Sequence, residues 1–219
     1  FGPTQDSMGG ASVGVNLDAA SVLTNPAGIQ SLGGRVDFGA SYFKPSVKLD
    51  VMGNEFTSDK GASPVPALGL VIPLNATTSF GLGAYGVSGM GVDYNMQSMS
   101  MGLLNTSYSL MRFAPGISYK VNDMISVGAT INIMYATMEY AMMDDPMAGG
   151  EVVNMGASSF GYGATIGITV KPMEMLTIGL AYETTSKFQD FKFNQYTSNA
   201  AGADSGVSEN KLSFDQPMS

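Results

Sequence analysis

From Arg35 onward, apolar positions alternate with small or polar ones at a period of two, the spacing of a β-strand with two unlike faces. Val36, Phe38, Ala40 and Tyr42 alternate with Asp37, Gly39 and Ser41. Met111, Phe113, Pro115, Ile117 and Tyr119 alternate with Arg112, Ala114, Gly116 and Ser118. Leu176, Ile178, Leu180 and Tyr182 alternate with Thr177, Gly179, Ala181 and Glu183. The same pattern predicts seven strands, near 35–44, 64–74, 78–92, 107–119, 124–139, 157–170 and 175–190, with an eighth beginning near Lys211. One face of these strands is bulky and apolar. In a soluble sandwich that face is the core; in a transmembrane barrel it meets lipid.

The connections favour lipid. Short turns near Asn75–Thr77, Lys120–Asp123 and Lys171–Glu174 alternate with long polar links near Pro45–Ser63, Asp93–Thr106, Met142–Gly156 and Phe191–Lys211. Short turns on one side and long loops on the other characterise outer-membrane barrels. Tyr42, Tyr108, Tyr119, Tyr135, Tyr162 and Tyr182 fall near the predicted strand ends, where an aromatic girdle belongs. Residues 1–34 lack the alternation and are rich in small residues. They predict one or two short helical turns around Asp18–Leu23, capped by Asn16 or Asp18 and ended by Pro26.

Composition narrows the chemistry. The 219 residues include no Cys, His or Trp, which excludes zinc-finger, Cys–His and Ser–His sites; no cofactor fingerprint is present, and an enzyme barrel of the lipase or protease type is disfavoured. A net charge of −8 argues against nucleic acid. The longest apolar stretch, Ala67–Leu74, is far too short for a spanning helix and contains Pro73. The start at Phe1, without a signal peptide, reads as a mature or trimmed product. An eight-stranded barrel has an interior filled by side chains and no room for a plug of 34 residues. Residues 35–219 are therefore expected to be the first part of a larger wall, completed by a further segment or by another chain.

Met8-Gly-Gly-Ala-Ser-Val and Asp18-Ala-Ala-Ser-Val-Leu-Thr-Asn-Pro-Ala-Gly28 resemble the N-terminal hatch of the FadL/TodX (OMPP1) family, outer-membrane transporters of long-chain fatty acids and other hydrophobic compounds. Pro64–Leu70, Phe80–Gly86, Tyr119–Gly128 and Lys171–Tyr182 resemble that family too. The resemblance implies an all-β chain: a transmembrane antiparallel up-and-down β-barrel of fourteen strands, about seven or eight of them present here, with residues 1–34 as hatch plug. It implies localisation in the outer membrane of a Gram-negative-type bacterium, no cofactor, and hydrophobic partners such as fatty acids, hydrocarbons, lipid or detergent. It further implies a route in which cargo is captured outside, held in a pocket, and released sideways through a gap at a kinked third strand.

Candidate site residues follow. Gly86 and Gly89 on the third strand are the candidates for the kink, since Gly weakens a ladder; the alternative is that the glycines of this strand make room for the hatch. Asn25, Pro26, Ala27 and Gly28 form a rigid turn ending the hatch, with φ fixed at Pro26 and freed at Gly28, either a gating latch or a static anchor. Arg35 and Arg112 are the only arginines. Arg112 lies on the small-residue face and thus in the lumen, where it binds a ligand carboxylate or forms a salt bridge to the hatch, for instance to Asp18. Met90, Met96, Met99 and Met101, with Leu103 and Leu104, are read as one long loop offering a greasy capture surface or packing on itself. Asp144, Asp145 and Glu151 match no calcium motif and read as a solvated acidic loop, with no metal site. The function expected is passive uptake of hydrophobic molecules; the alternative is a structural or adhesive surface barrel without transport.

Overall fold

The computed structural model describes residues 12–95, 103–143, 152–198 and 204–216. Two short helical elements come first: α1 (Ser21–Thr24) and a 3-10 helix (Pro26–Ser31). Thirteen strands follow among the described residues: β1 (Arg35–Phe43), β2 (Lys48–Val51), β3 (Asn54–Thr57), β4 (Ser63–Pro73), β5 (Thr78–Asn95), β6 (Leu103–Lys120), β7 (Ile125–Met143), β8 (Val152–Met173), β9 (Leu176–Glu183), β10 (Ser186–Phe188), β11 (Phe191–Ser198), β12 (Asp204–Leu212) and β13 (Asp215–Gln216). β2 and β3 form a separate hairpin; the others make one antiparallel sheet in the order β1-β4-β5-β6-β7-β8. Beyond β8, the successive strands β9, β10 and β11 all pair with it, and β12 and β13 pair with β11 and β10. Counting β9–β11 as one interrupted strand and β12–β13 as another, the wall is eight strands wide. No helix among the described residues is long and apolar enough to cross a membrane.

The side-chain pattern is inverted relative to a soluble sheet. Phe38, Ile131, Ile166, Ile178 and Leu180 stand exposed, while Ala114, Asn132, Thr130, Thr165 and Ser118 are buried. Bulky apolar groups facing outward are stable only against lipid, and small or polar groups facing inward suit a filled lumen. Substituting Ile131→Arg is accordingly expected to destabilise the folded barrel by about 2–4 kcal/mol, read as a lower denaturant midpoint in vesicles. No change would place that face in water.

The short turns sit where expected. Asn75 Oδ1 accepts from the N–H of Thr77 and Thr78, and Asn122 Oδ1 from those of Met124 and Ile125, so each Asn side chain closes its own turn. Lys120 bonds Asp123 at 2.7 Å and holds that carboxyl below the usual Asp range. The long links differ from expectation. Asn95 pairs with Leu103, Met143 with Val152, and Phe191–Ser198 with β12, so the hairpins extend well into the segments read as loops. Backbone ladders do not need side-chain alternation, and past the bilayer the alternation fades while the ladder continues. Met90, Leu103 and Leu104 thus lie in β5 and β6 rather than in one loop. Tyr108 is a second correction: it packs inside the wall near Phe214 rather than joining an outward girdle.

The wall curls around residues 12–34. Ala19, Ala20, Val22, Leu23 and Ile29 pack with Ala67, Val71, Tyr85 and Ala114 in one buried cluster. At Gly128 on β7 an added Cβ would meet the backbone of Pro26 and Ala27, with the Ala27 nitrogen only 2.5 Å away; at Gly167 on β8 it would meet Asn25 Oδ1. The small inward face therefore lets backbone rest on backbone.

Candidate functional site

Three features lie together inside and along this wall: the seat of the N-terminal segment, a gap between two strands, and a packed apolar cluster.

Asn25 is the pivot of the seat. Its side chain is fully buried; Nδ2 donates to the carbonyls of Val13 (2.9 Å) and Ile168 (3.2 Å), while Oδ1 accepts from the Ala27 N–H (3.2 Å) and so caps the 3-10 helix. α1 ends at Thr24 with Asn25 extended before Pro26, as expected, and Pro26 also opens the 3-10 helix, because a fixed φ and a missing N–H suit a first helical position. Ser118 on β6 donates to the Ala27 carbonyl at 3.1 Å. At Gly28 closeness rather than φ is the constraint: an added Cβ would make the Asn16 side chain turn aside, whereas the positive φ lies later, at Gly33. α1 begins after Ala20 without a side-chain cap, although Asp18 Oδ1 accepts from the Ala20 N–H. Arg35 serves this seat as well. It bonds Asp37 at 2.7 Å and the Leu17 carbonyl at 3.0 Å, and Asp37 in turn accepts from the Ala19 N–H.

The gap lies between β4 and β5. Their ladder runs from Pro73–Ser79 to Ala67–Tyr85 and stops. β4 continues to Ser63 against β1, and β5 continues to Asn95 against β6, with a register break between Gly86 and Ser88 that leaves Val87 bulged. Pro64 and Pro66, two same-side positions of β4, have no N–H to offer there. A cavity of about 260 Å³ fills the space, lined by Lys60, Pro64, Val65, Gly89, Met90 and Tyr108 among others. Beyond it the chain before β4 returns to β5: the Asp59 N–H donates to the Asp93 carbonyl and the Asp93 N–H to Ser58 Oγ. The glycines of β5 divide between the two expectations. Gly81 and Gly83 face Ile29 and Val22 of the N-terminal segment, Gly86 sits at the break against Val65, and Gly89 has nothing closer than the Tyr108 carbonyl at 3.8 Å.

The apolar cluster inside the wall was not legible as such. Leu110, Met134, Ala136, Phe191 and Phe193 are buried together, joined by Val87, Tyr108, Met138 and Phe188. Phe188, Phe191, Phe193 and Phe214 form a chain of ring contacts at 5.6–6.3 Å. Tyr108 and Leu110 also line the gap, so the cluster borders its cavity. Phe191 and Phe193 share one face of a strand, a signal lost when 191–211 is read as a polar link.

Arg112 lies on β6 between Leu110 of this cluster and Ala114 of the cluster around the N-terminal segment. It is 1% exposed, and its guanidinium takes both carboxylate oxygens of Glu183 on β9, at 2.7 and 3.1 Å. The expected inward position is found, and Glu183 of the wall is one carboxylate that Arg112 meets there. Met90 is exposed at the gap, and Leu104 is half-buried opposite Tyr94. Met96, Met99, Met101, Asp144, Asp145 and Glu151 lie outside the described residues, as do Met8 and its neighbours.

An inverted antiparallel wall wrapped around its own N-terminal segment defines an outer-membrane β-barrel. A family model described as outer membrane protein transport protein (OMPP1/FadL/TodX) matches residues 4–216, and the chain belongs to that family. The fold is shared with the Pseudomonas putida toluene transporter TodX (TM-score 0.79, 18% identity, covering 100% of this chain and 64% of that one). It is shared also with the Ralstonia pickettii toluene transporter TbuX (0.72, 20% identity, 98% and 63%) and with a Pseudomonas aeruginosa FadL homologue (0.66, 18% identity, 88% and 53%). The chain spans less than two thirds of the length of each. No curated protein matches it in sequence.

Proposed function

We propose that this chain forms the entry half of a passive channel through which hydrophobic molecules, of the long-chain fatty acid and monoaromatic hydrocarbon kind, cross the outer membrane. Residues 1–34 act as a hatch that blocks the straight path through the lumen. Cargo enters from the long-hairpin end past Met90, rests in the cavity beside Tyr108 and Leu110, and leaves sideways through the gap between β4 and β5.

The gap carries this reading. A spanning sheet normally leaves no backbone group unpaired in hydrocarbon, since each costs several kcal/mol. A ladder that stops within the wall, beside a bulge, two prolines and a cavity, is tolerated where the backbone lines an opening. Burial of cargo contributes about 0.8 kcal/mol per CH₂ in the cavity and a similar amount in the bilayer. Movement from one to the other therefore needs no coupled energy source. The Asn25–Gly28 seat, held by side-chain bonds to β6 and β8, acts as the latch.

The test is uptake by cells that carry the full-length protein in their outer membrane, with labelled oleate and ethylbenzene as probes. Faster uptake of either than in cells without the protein is expected. Equal uptake of both would favour the alternative, a structural or adhesive surface barrel.

A further inference from the structure

We propose that Lys60 is a headgroup site in the gap cavity: its ammonium receives the carboxylate of an amphipathic cargo while the acyl tail lies along Val65, Met90 and Leu110. The inference rests on the uptake reading above and deepens it, naming the part of the cargo that is held and the residue that holds it.

The cavity between β4 and β5 is walled mainly by apolar groups and glycines, and Lys60 is the one charged residue lining it among the described residues. Lys60 is half-buried there. An ammonium partly withdrawn from water is stabilised by a counter-charge. The protein supplies none: the ion pairs among the described residues are Arg35–Asp37, Lys48–Glu55, Arg112–Glu183 and Lys120–Asp123, and Lys60 belongs to none of them. Its place is fixed by backbone. The Lys60 N–H donates to Ser58 Oγ (3.3 Å), which also accepts from the Asp93 N–H (2.9 Å), and the Asp59 N–H donates to the Asp93 carbonyl (2.8 Å). These bonds strap the chain before β4 to β5 and set Lys60 at the end of the gap away from the last ladder pair, Ala67–Tyr85. Its side chain lies over Gly91, where an added Cβ would stand 3.0 Å from Lys60 Cε and 3.4 Å from Nζ. Asp59 and Asp93 join the strap through their backbone groups, and neither lines the cavity. An entering carboxylate thus meets a cation and no lining anion, the setting for a charge-assisted bond. With its head held at the strap, the tail reaches toward Val65 and Gly86, where the ladder is missing, and so enters the bilayer first.

The discriminating probes are decanoate, decanol and decylammonium, equal in chain length and unlike in charge. Binding to the purified full-length protein in nonionic detergent is measured at low salt and at a pH where decanoate is ionised, with partition into protein-free micelles subtracted. Lys60→Met is expected to weaken decanoate binding by about threefold to tenfold and to leave decanol unchanged, an effect that shrinks as salt rises. Lys60→Glu is expected to weaken decanoate further and to strengthen decylammonium by about threefold to tenfold. Lys48→Met removes the same charge from the separate β2–β3 hairpin, where Lys48 is paired with Glu55, and should alter none of the three. Decanoate binding unchanged in both Lys60 variants, with decanol still bound, would overturn the inference and leave the uptake reading standing. Equal losses of decanol and decanoate in Lys60→Met would also overturn it, since that is damage to the cavity rather than loss of a charge. So would a loss in Lys48→Met as large as that in Lys60→Met. Binding of no probe by wild type would overturn both.

Discussion

Replacing Glu183 by glutamine is expected to lower the stability of the folded barrel by about 3–5 kcal/mol, the cost of removing one member of a buried ion pair. Arg112 is 1% exposed, so the variant keeps a buried cation that has lost the Glu183 carboxylate. The reverse change, Arg112→Met, should cost less. Glu183 is 14% exposed at its side chain, so the carboxylate left behind keeps some contact with solvent. Removing both charges with methionines should return stability to near the wild-type value, because apolar replacements of a buried pair are often neutral. Denaturant unfolding in vesicles, followed by the mobility difference between folded and unfolded barrel, reads all three. A Glu183→Gln variant as stable as wild type would mean that the pair is hydrated and does not help to hold β6 to β9.

The second large effect is expected at Gly128. A Cβ there meets the backbone of Pro26 and Ala27, which cannot rotate aside as a side chain would. Gly128 does not have a positive φ, so Gly128→Val leaves the strand itself unstrained. Overpacking of about 1–3 kcal/mol falls on the contact between segment and wall. The population with the segment lifted from its seat should rise about tenfold to a hundredfold. The chain contains no Cys, so a single Ala27→Cys reporter, at a site 1% exposed, measures this by its rate of maleimide labelling. Gly89→Val serves as the control, since nothing lies closer to it than 3.8 Å. Unchanged labelling in the Gly128 variant would show that the seat yields without opening.

Much of this architecture is legible in the sequence because period two is a local property. The alternation in 125–135 and 160–170 places Ile131 and Ile166 outward and Asn132 and Thr165 inward with no knowledge of partners. The resemblance of Asn25-Pro26-Ala27-Gly28 to the family's hatch likewise points to a segment held against the wall. What the sequence hides depends on curvature and register. Glu183 shares the inward parity of Thr177 and Gly179, and Arg112 that of Ala114. That they meet follows from the bend of the wall between β6 and β9, which no local pattern encodes. The same holds for Gly28, whose lack of a side chain answers to Asn16 twelve residues earlier in the chain. Strand ends beyond the bilayer are hidden for another reason: there the ladder persists without an apolar face, so 93–106 and 191–211 read as loops although much of each is paired.

The most direct test of lateral release is to close the gap. An ideal Cβ on Gly86 would lie 2.7 Å from Val65 Cγ1 and 3.8 Å from Val65 Cα, within the reach of a disulfide between Val65→Cys and Gly86→Cys. Uptake of ethylbenzene is measured in cells carrying the full-length double variant, oxidised and then reduced. Loss of protein-dependent uptake on oxidation, with recovery on reduction, is the expected result. Uptake that continues with the bridge formed would contradict passage between β4 and β5.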